Sequence, residues 1–270
     1  MIAGLKEIWK NAFGDPDWYI NFFFENRFEP ENTMVFMEDG KPVSMFFMLP
    51  AQINSDGSYK NAFYIYGVST MGEYQGRGYS RALLKSLNDN MPTGVSVTFL
   101  TPATSSLFDF YKKQNYKKAF SLKEMNLTAE DLAEIPLYLG DLKSPTAAEY
   151  AACRDAAFDA HGYIKWDERA IKYMLAENEL LGGKAYISSN CNPENIIFYR
   201  IWDKKLFVKE TTFDGDELLS VLKKIMADEN VPTCNIKLHS NSKINAEIKD
   251  FAMVYGIGGI ENGYFNLALD

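Results

Sequence analysis

The stretch that most limits what this chain can fold into runs from Phe63 to Leu87. Phe63-Tyr64-Ile65-Tyr66 is aromatic and β-branched, which favours a pleated, half-buried strand. Ala82, Leu83, Leu84 and Leu87 recur at helical spacing. Between strand and helix stands Gln75-Gly76-Arg77-Gly78-Tyr79-Ser80, whose two glycines let backbone N–H groups approach a ligand with no Cβ in the way. A loop that opens a helix in this way is a ready phosphate site, because the free amides point outward and the helix N-terminus is electropositive. It is not a P-loop, since Arg81 does not stand where that motif has its lysine. Nor is it the dinucleotide fingerprint Gly-x-Gly-x-x-Gly, which would need a glycine at Arg81.

Composition narrows the setting. The chain has 270 residues, 47% hydrophobic and 24% charged, enough for one large domain or two of ordinary size. Its net charge of −8 disfavours nonspecific nucleic-acid binding and suits a cationic or amine-bearing substrate. No apolar run reaches the ~18–20 residues of a membrane span, and Met1–Glu7 lacks the pattern of a signal peptide. Cys153, Cys191 and Cys234 are far apart with no Cys-x-x-Cys pair, and read as reduced cysteines of a cytoplasmic protein. His161 and His239 are too few for a histidine metal site, and no metal is expected.

In chain order, Leu5–Phe28 is helical and aromatic, with Asp15-Pro16 read as N-cap and first-turn proline. Strands are predicted over Thr33–Glu38 and Pro42–Ile53, joined at Asp39-Gly40, a strong hairpin signal. A further strand covers Asn61–Thr70. Then come a helix from Tyr79 to Asn90, a strand over Val95–Leu100, a helix from Ser105 to Lys113 and an extended element over Tyr116–Leu127.

The loop resembles the acetyl-CoA pyrophosphate loop of the GNAT superfamily of acyl-CoA-dependent N-acyltransferases, Gln/Arg-x-x-Gly-x-Gly/Ala, with Ser80 in the final small-residue slot. A second motif supports it. Phe110-Tyr111 with Asn115-Tyr116 is similar to the family's Phe-Tyr-x-x-x-Gly-Phe segment, asparagine standing for the glycine and tyrosine for the last phenylalanine. The segments flanking the loop, the acidic–aromatic N-terminal helix and the length look most like the Eis-type branch, whose members carry a second, degenerate GNAT-like domain.

This resemblance implies an α/β fold on a mixed sheet. A GNAT acetyl-CoA-binding domain over residues 1–135 would precede a degenerate GNAT-like domain over 136–270. It implies acetyl-CoA as cosubstrate, held by Gln75, Gly76, Arg77, Gly78, Tyr79 and Ser80 and by main-chain groups around Val68, Ser69 and Thr70. It makes Tyr111 the general acid, a phenol able to protonate the departing thiolate. In the Eis-type branch the terminal carboxylate reaches the active site, which makes Asp270 a catalytic candidate.

Trp18, Phe22, Glu25, Tyr64 and Tyr66 are candidate acceptor-binding residues, and Glu25, Tyr64, Tyr66 and Asp270 candidate bases. The expected reaction is direct attack by a primary amine of a small cationic or peptide acceptor, since no cysteine lies near either motif. No nucleic-acid or membrane partner is expected, and homo-oligomerisation is left open. A non-catalytic acetyl-CoA sensor or scaffold is the alternative.

In the second half, helices are predicted from Ser144/Thr146 to His161 and over Asp167–Asn178, and strands over Ala185–Ser189, Ile196–Trp202 and Leu206–Phe213. The last runs through Asp214-Gly215-Asp216-Glu217 into a helix over Leu218–Met226, a junction like the first half's with carboxylates in place of the glycine loop. Those carboxylates would repel a pyrophosphate, so this copy is expected not to bind CoA. Residues 263–270 read as a closing strand.

Overall fold

The computed structural model describes residues 1–188, 194–258, 260 and 263–267. They gather into two compact units: Met1–Ile53, Ser58–Lys118 and Ala252–Gly259, and Asn54–Gly57, Ala119–Phe251 and Ile260–Asp270, in so far as these are described. A cut between residues 135 and 136 is a different partition. Residues 119–135 lie in the second unit, and residues 252–258 lie in the first.

The first unit begins with α1 (Ile2–Phe13) and α2 (Asp17–Asn26). The helical pattern of Leu5–Phe28 is interrupted because Gly14 takes a left-handed conformation, φ +74°, and closes α1 with its N–H on Lys10 O at 3.0 Å. Pro16, not Asp15, is the N-cap of α2; the Asp15 carboxylate instead accepts the Trp9 indole N–H at 2.7 Å.

There follow β1 (Thr33–Glu38), β2 (Lys41–Ser55), β3 (Ser58–Thr70), α3 (Tyr79–Asp89), β4 (Val95–Leu100), α4 (Ser105–Lys112) and β5 (Lys117–Thr128). The hairpin forms at Asp39-Gly40, pairing Glu38 with Lys41. The sheet order in this unit is β1-β2-β3-β4-β12, where β12 is Glu247–Tyr255.

Strand alternation sorts the core into two faces. Phe46, Met48, Phe63, Ile65, Leu100 and Met253 pack with Leu83, Leu84 and Leu87 of α3 and with Tyr111 and Tyr116. Each buried leucine contributes about 1.5–3 kcal/mol. On the other face Phe47, Tyr64, Tyr66 and Phe99 form ring contacts, which continue to Trp9 of α1 and Phe23 of α2.

The second unit carries β6 (Leu142–Lys143), α5 (Ala147–Phe158), β7 (Ile164–Lys165), α6 (Glu168–Leu180), β8 (Lys184–Ser188), β9 (Ile196–Trp202), β10 (Lys205–Thr211), α7 (Gly215–Asp228) and β11 (Thr233–His239). Its strands run β5-β11-β10-β9-β8-β6. The core is built from β9, β10 and β11 against Leu218, Val221, Leu222, Ile225 and Met226 of α7. α5 starts with a full capping box between Thr146 and Glu149.

The closing strand expected over residues 263–270 does not form within the described part. Gly263 makes a single bridge to Phe120. Beyond it the Asn266 side chain accepts the Leu267 N–H at 2.9 Å and Leu267 turns to φ +58°, which breaks the pleat. Asp270 lies outside the described residues, as does Cys191. Cys153 and Cys234 are buried and unbridged.

Candidate active site

β3 and β4 pair in parallel from Asn61–Val95 to Tyr64–Phe99, and among the described residues no rung follows. β3 continues to Thr70, so its last residues run free of β4 along one edge. On the other edge the Met71 N–H reaches Val43 O at 2.9 Å, and Ser44 Oγ donates to Ser69 O at 2.8 Å. Alternation then turns the main-chain groups of Val68 and Thr70 away from β2, toward the side that β4 has left. Ser69 is buried, and its hydroxyl donates to Gly67 O at 3.0 Å. Gln75 Nε2 donates to Thr70 O at 3.3 Å, tying the end of the strand to the start of the loop.

The loop needs its glycines. Gly76 and Gly78 have φ +77° and +83°, and nothing lies within 4 Å of where a Cβ would stand on either. Gly78 is the N-cap of α3 without a side-chain cap, and the first helical hydrogen bond runs from Ala82 N to Gly78 O at 2.9 Å. The amides before Ala82 therefore head an uncapped helix beside open space, an arrangement that can receive a phosphate.

The side chains of the loop point elsewhere. Arg77 donates to Glu73 O at 3.1 Å, lies over the Tyr74 ring at 4.9 Å and meets Glu38 at 3.4 Å. The Tyr79 hydroxyl donates to the same Glu38 carboxylate, and its ring stacks on Phe36 at 4.3 Å. The bond to Glu38 raises the Tyr79 phenol, as does burial, while Arg77 opposes them. Glu38 thus braces the loop from β1. Sequence reading missed it because no short-range pattern links a hairpin residue to a loop so far along the chain.

Tyr111 lies on α4 and is 6% exposed, packed edge-on to Phe110 at 5.1 Å and to Tyr116 at 5.9 Å. Burial pushes its phenol up to about 12. The hydroxyl has no hydrogen-bond partner among the described residues. Asn115 takes the left-handed conformation, φ +65°, that the family's glycine would supply.

The acceptor candidates do not converge with Tyr111. Trp18 is 51% exposed on α2, Phe22 is half-buried and Glu25 is exposed. Tyr64 and Tyr66 belong to the face of β3 that packs on α1 and α2, and Tyr64 is a buried ring between Tyr66 and Phe99. Tyr111 packs with Phe63 and Ile65 on the opposite face. Among the described residues no cluster of three or more His, Cys, Asp or Glu could hold a metal, and no helix is long and apolar enough to cross a membrane.

Residues 2–119 match the family model described as an acetyltransferase (GNAT) domain. A comparison of the sequence with curated proteins gives no match. Among solved structures the chain is similar to a conserved protein of Enterococcus faecalis V583, 17% identical over 94% of this chain and 69% of that one, with a TM-score of 0.74. It is also similar to a GCN5-related N-acetyltransferase of Anabaena variabilis ATCC 29413, at 16% identity, 94% and 70% coverage and a TM-score of 0.72. Eis1 of Mycobacterium abscessus matches at 13% identity, 93% and 70% coverage and a TM-score of 0.65. Residues 2–119 are thus similar to a GNAT acetyltransferase domain, and the chain is similar in fold to these solved structures, Eis1 of Mycobacterium abscessus among them.

Proposed function

We propose that this protein transfers an acetyl group from acetyl-CoA to a primary amine of a small cationic or peptide acceptor. The first unit would carry the chemistry, and the second would serve as a scaffold that holds no CoA. The observation that carries this reading is the uncapped, open helix start at Gly76–Ser80 in the same compact unit as an edge of β3 left unpaired by β4.

The amides of Gly76 to Ser80 would bind the pyrophosphate, the Gln75 N–H being already engaged by Gly72 O at 3.3 Å. Main-chain groups of Val68 and Thr70 would align the pantetheine arm and polarise the thioester carbonyl, the kind of preorganised donor that dominates acyl-transfer catalysis. The amine nitrogen then bonds to the carbonyl carbon, the carbon–sulfur bond breaks, and the amine's proton passes to a base or an ordered water. Tyr111 would meet the leaving sulfur. Its phenol, held protonated by burial, donates toward a thiolate that the same apolar surroundings make more basic, so donor and acceptor rise together.

The cationic character of the acceptor is supported by the net charge of −8. A cytoplasmic setting is part of the same proposal. The test is CoA release from acetyl-CoA with polyamines, aminoglycosides and lysine peptides, wild type beside Tyr111→Phe. Turnover that falls about 10²-fold in the variant, the scale of a lost acid–base group, is expected. Tight acetyl-CoA binding without turnover on any amine would move the assignment to a sensor.

A further inference from the structure

The family motif has phenylalanine where this chain has Tyr116, and the extra hydroxyl is not idle. It lies 2.8 Å from Thr98 Oγ1, and both residues are buried. Thr98 belongs to β4, where it is in register with Phe63 of β3 and Tyr255 of β12. The next rung, Tyr64–Phe99, is the last before β3 and β4 part. The hydroxyl pair therefore fastens Tyr116 to the strand one residue before the cleft opens.

From Tyr116 the connection continues to Tyr111 by two routes. The Tyr116 N–H donates to Tyr111 O at 3.1 Å, and Gln114 N–H reaches the same carbonyl at 2.8 Å, closing the turn around left-handed Asn115. The two rings meet nearly edge to face, 5.9 Å apart at 66°. On its other side Tyr116 touches the Tyr255 ring at 5.7 Å.

A phenylalanine in this place would fill the same volume and keep the backbone bond to Tyr111 O, but its ring would have no directional bond to β4. A buried hydroxyl pair is directional, and leaving it takes from Thr98 its partner and leaves the Tyr116 hydroxyl with Asn88 alone. We infer that Tyr116 is a positioning residue which, latched to Thr98, sets where the Tyr111 hydroxyl stands relative to the mouth of the β3–β4 cleft.

This rests on Tyr111 acting in acyl transfer, and the test separates the two ideas. Tyr116→Phe and Thr98→Val each remove one hydroxyl at nearly constant shape. Each is expected to lower kcat on the order of tenfold, within what a misplacement of an ångström or less can cost. KM for acetyl-CoA should stay unchanged, because the loop at Gly76–Ser80 is untouched. Thr98→Ser, which keeps the hydroxyl, should recover most of the loss. In a Tyr111→Phe background, Tyr116→Phe should cost nothing more, since the group it positions is gone.

A second measurement does not depend on turnover. The Tyr111 ring signal in tyrosine-labelled protein, identified by its loss in Tyr111→Phe, should shift in Tyr116→Phe with no substrate present. An equal loss of kcat from Tyr116→Phe in both backgrounds, or an unmoved Tyr111 signal, overturns the latch. A shifted signal in a protein that acetylates no amine supports the latch and retires the acyl-transfer reading instead.

Discussion

The molecule contains two strand–loop–helix junctions of the same construction, β3 to α3 and β10 to α7, and they differ in what their polar groups are doing. β10 pairs in parallel with β11 from Lys205–Thr233 to Val208–Ile236, then irregular pairing with β9 sets in between Val208 and Glu210. β3 behaves in the same way beside β4, with a ladder that ends at Tyr64–Phe99. At the helix starts the likeness stops. Gly78 leaves the N-terminus of α3 uncapped, whereas Asp214 caps α7 with its own carboxylate, taking the Gly215 N–H at 2.9 Å, the Ser242 hydroxyl at 2.6 Å and the Lys243 N–H at 2.9 Å.

The strands past the last rung differ as well. The Asn266 amide donates to Lys209 O, and Glu210, 0% exposed, is matched by Arg154, 1% exposed, at 2.8 Å. The Tyr150 and Tyr264 hydroxyls complete the carboxylate at 2.9 and 3.0 Å. Both junctions thus have a parting ladder followed by a helix. In the second, the chain supplies the counter-groups itself; in the first, the loop's side chains turn to Glu38 and the amides remain for something else. Shape alone does not make a binding site; donors without internal partners do.

The hardest way to break the comparison is to undo the internal ligand of the second junction. Glu210→Leu leaves Arg154 buried without its anion, and Arg154→Met leaves Glu210 so. Each should cost the second unit about 3–5 kcal/mol, read as a large drop in its thermal midpoint, with acetyl-CoA affinity kept at temperatures where the protein stays folded.

A smaller effect is expected from the first junction's backbone. Gly78→Val puts a β-branched residue at φ +83°, a strain of about 1–2 kcal/mol or more. The loop should relieve it by turning its amides, weakening acetyl-CoA binding by about tenfold. Unchanged affinity in this variant would mean that the amides are not the ligand.

The smallest effect sharpens the contrast through pH. Burial would raise the Asp214 carboxyl, but the Lys243 N–H, the Ser242 hydroxyl and the Gly215 N–H outweigh it and hold it below the usual aspartate range. A depressed carboxyl stabilises the fold above the unfolded value, and that contribution is lost as pH falls through the folded one. Asp214→Asn should therefore flatten the acid limb of stability while costing about 1 kcal/mol or less at neutral pH, since asparagine also caps well.

Much of this was legible in sequence because it is local. Asp39-Gly40 fixes a hairpin, the glycines of the loop announce positive φ, and Leu83, Leu84 and Leu87 name the buried side of α3. What was not legible depends on residues far apart. Glu38 bracing Arg77 and Tyr79 has no local signature, and neither does the carboxylate of Glu210 meeting Arg154. β11 was missed because Thr233–His239 interleaves Asn235 and Lys237 with its apolar positions, and only pairing with β5 and β10 makes it a central strand. The tail was misread for the opposite reason: Phe265 and Leu267 promise a pleat that the Asn266 side chain undoes.

On the proposed function, one junction of the two binds acyl-CoA. Calorimetric titration of the full chain with acetyl-CoA tests it most directly, run on wild type, Gly78→Val and Asp214→Asn. One site per chain is expected, weakened in Gly78→Val and unchanged in Asp214→Asn. Two sites, no site, or a single site that survives Gly78→Val intact would contradict it.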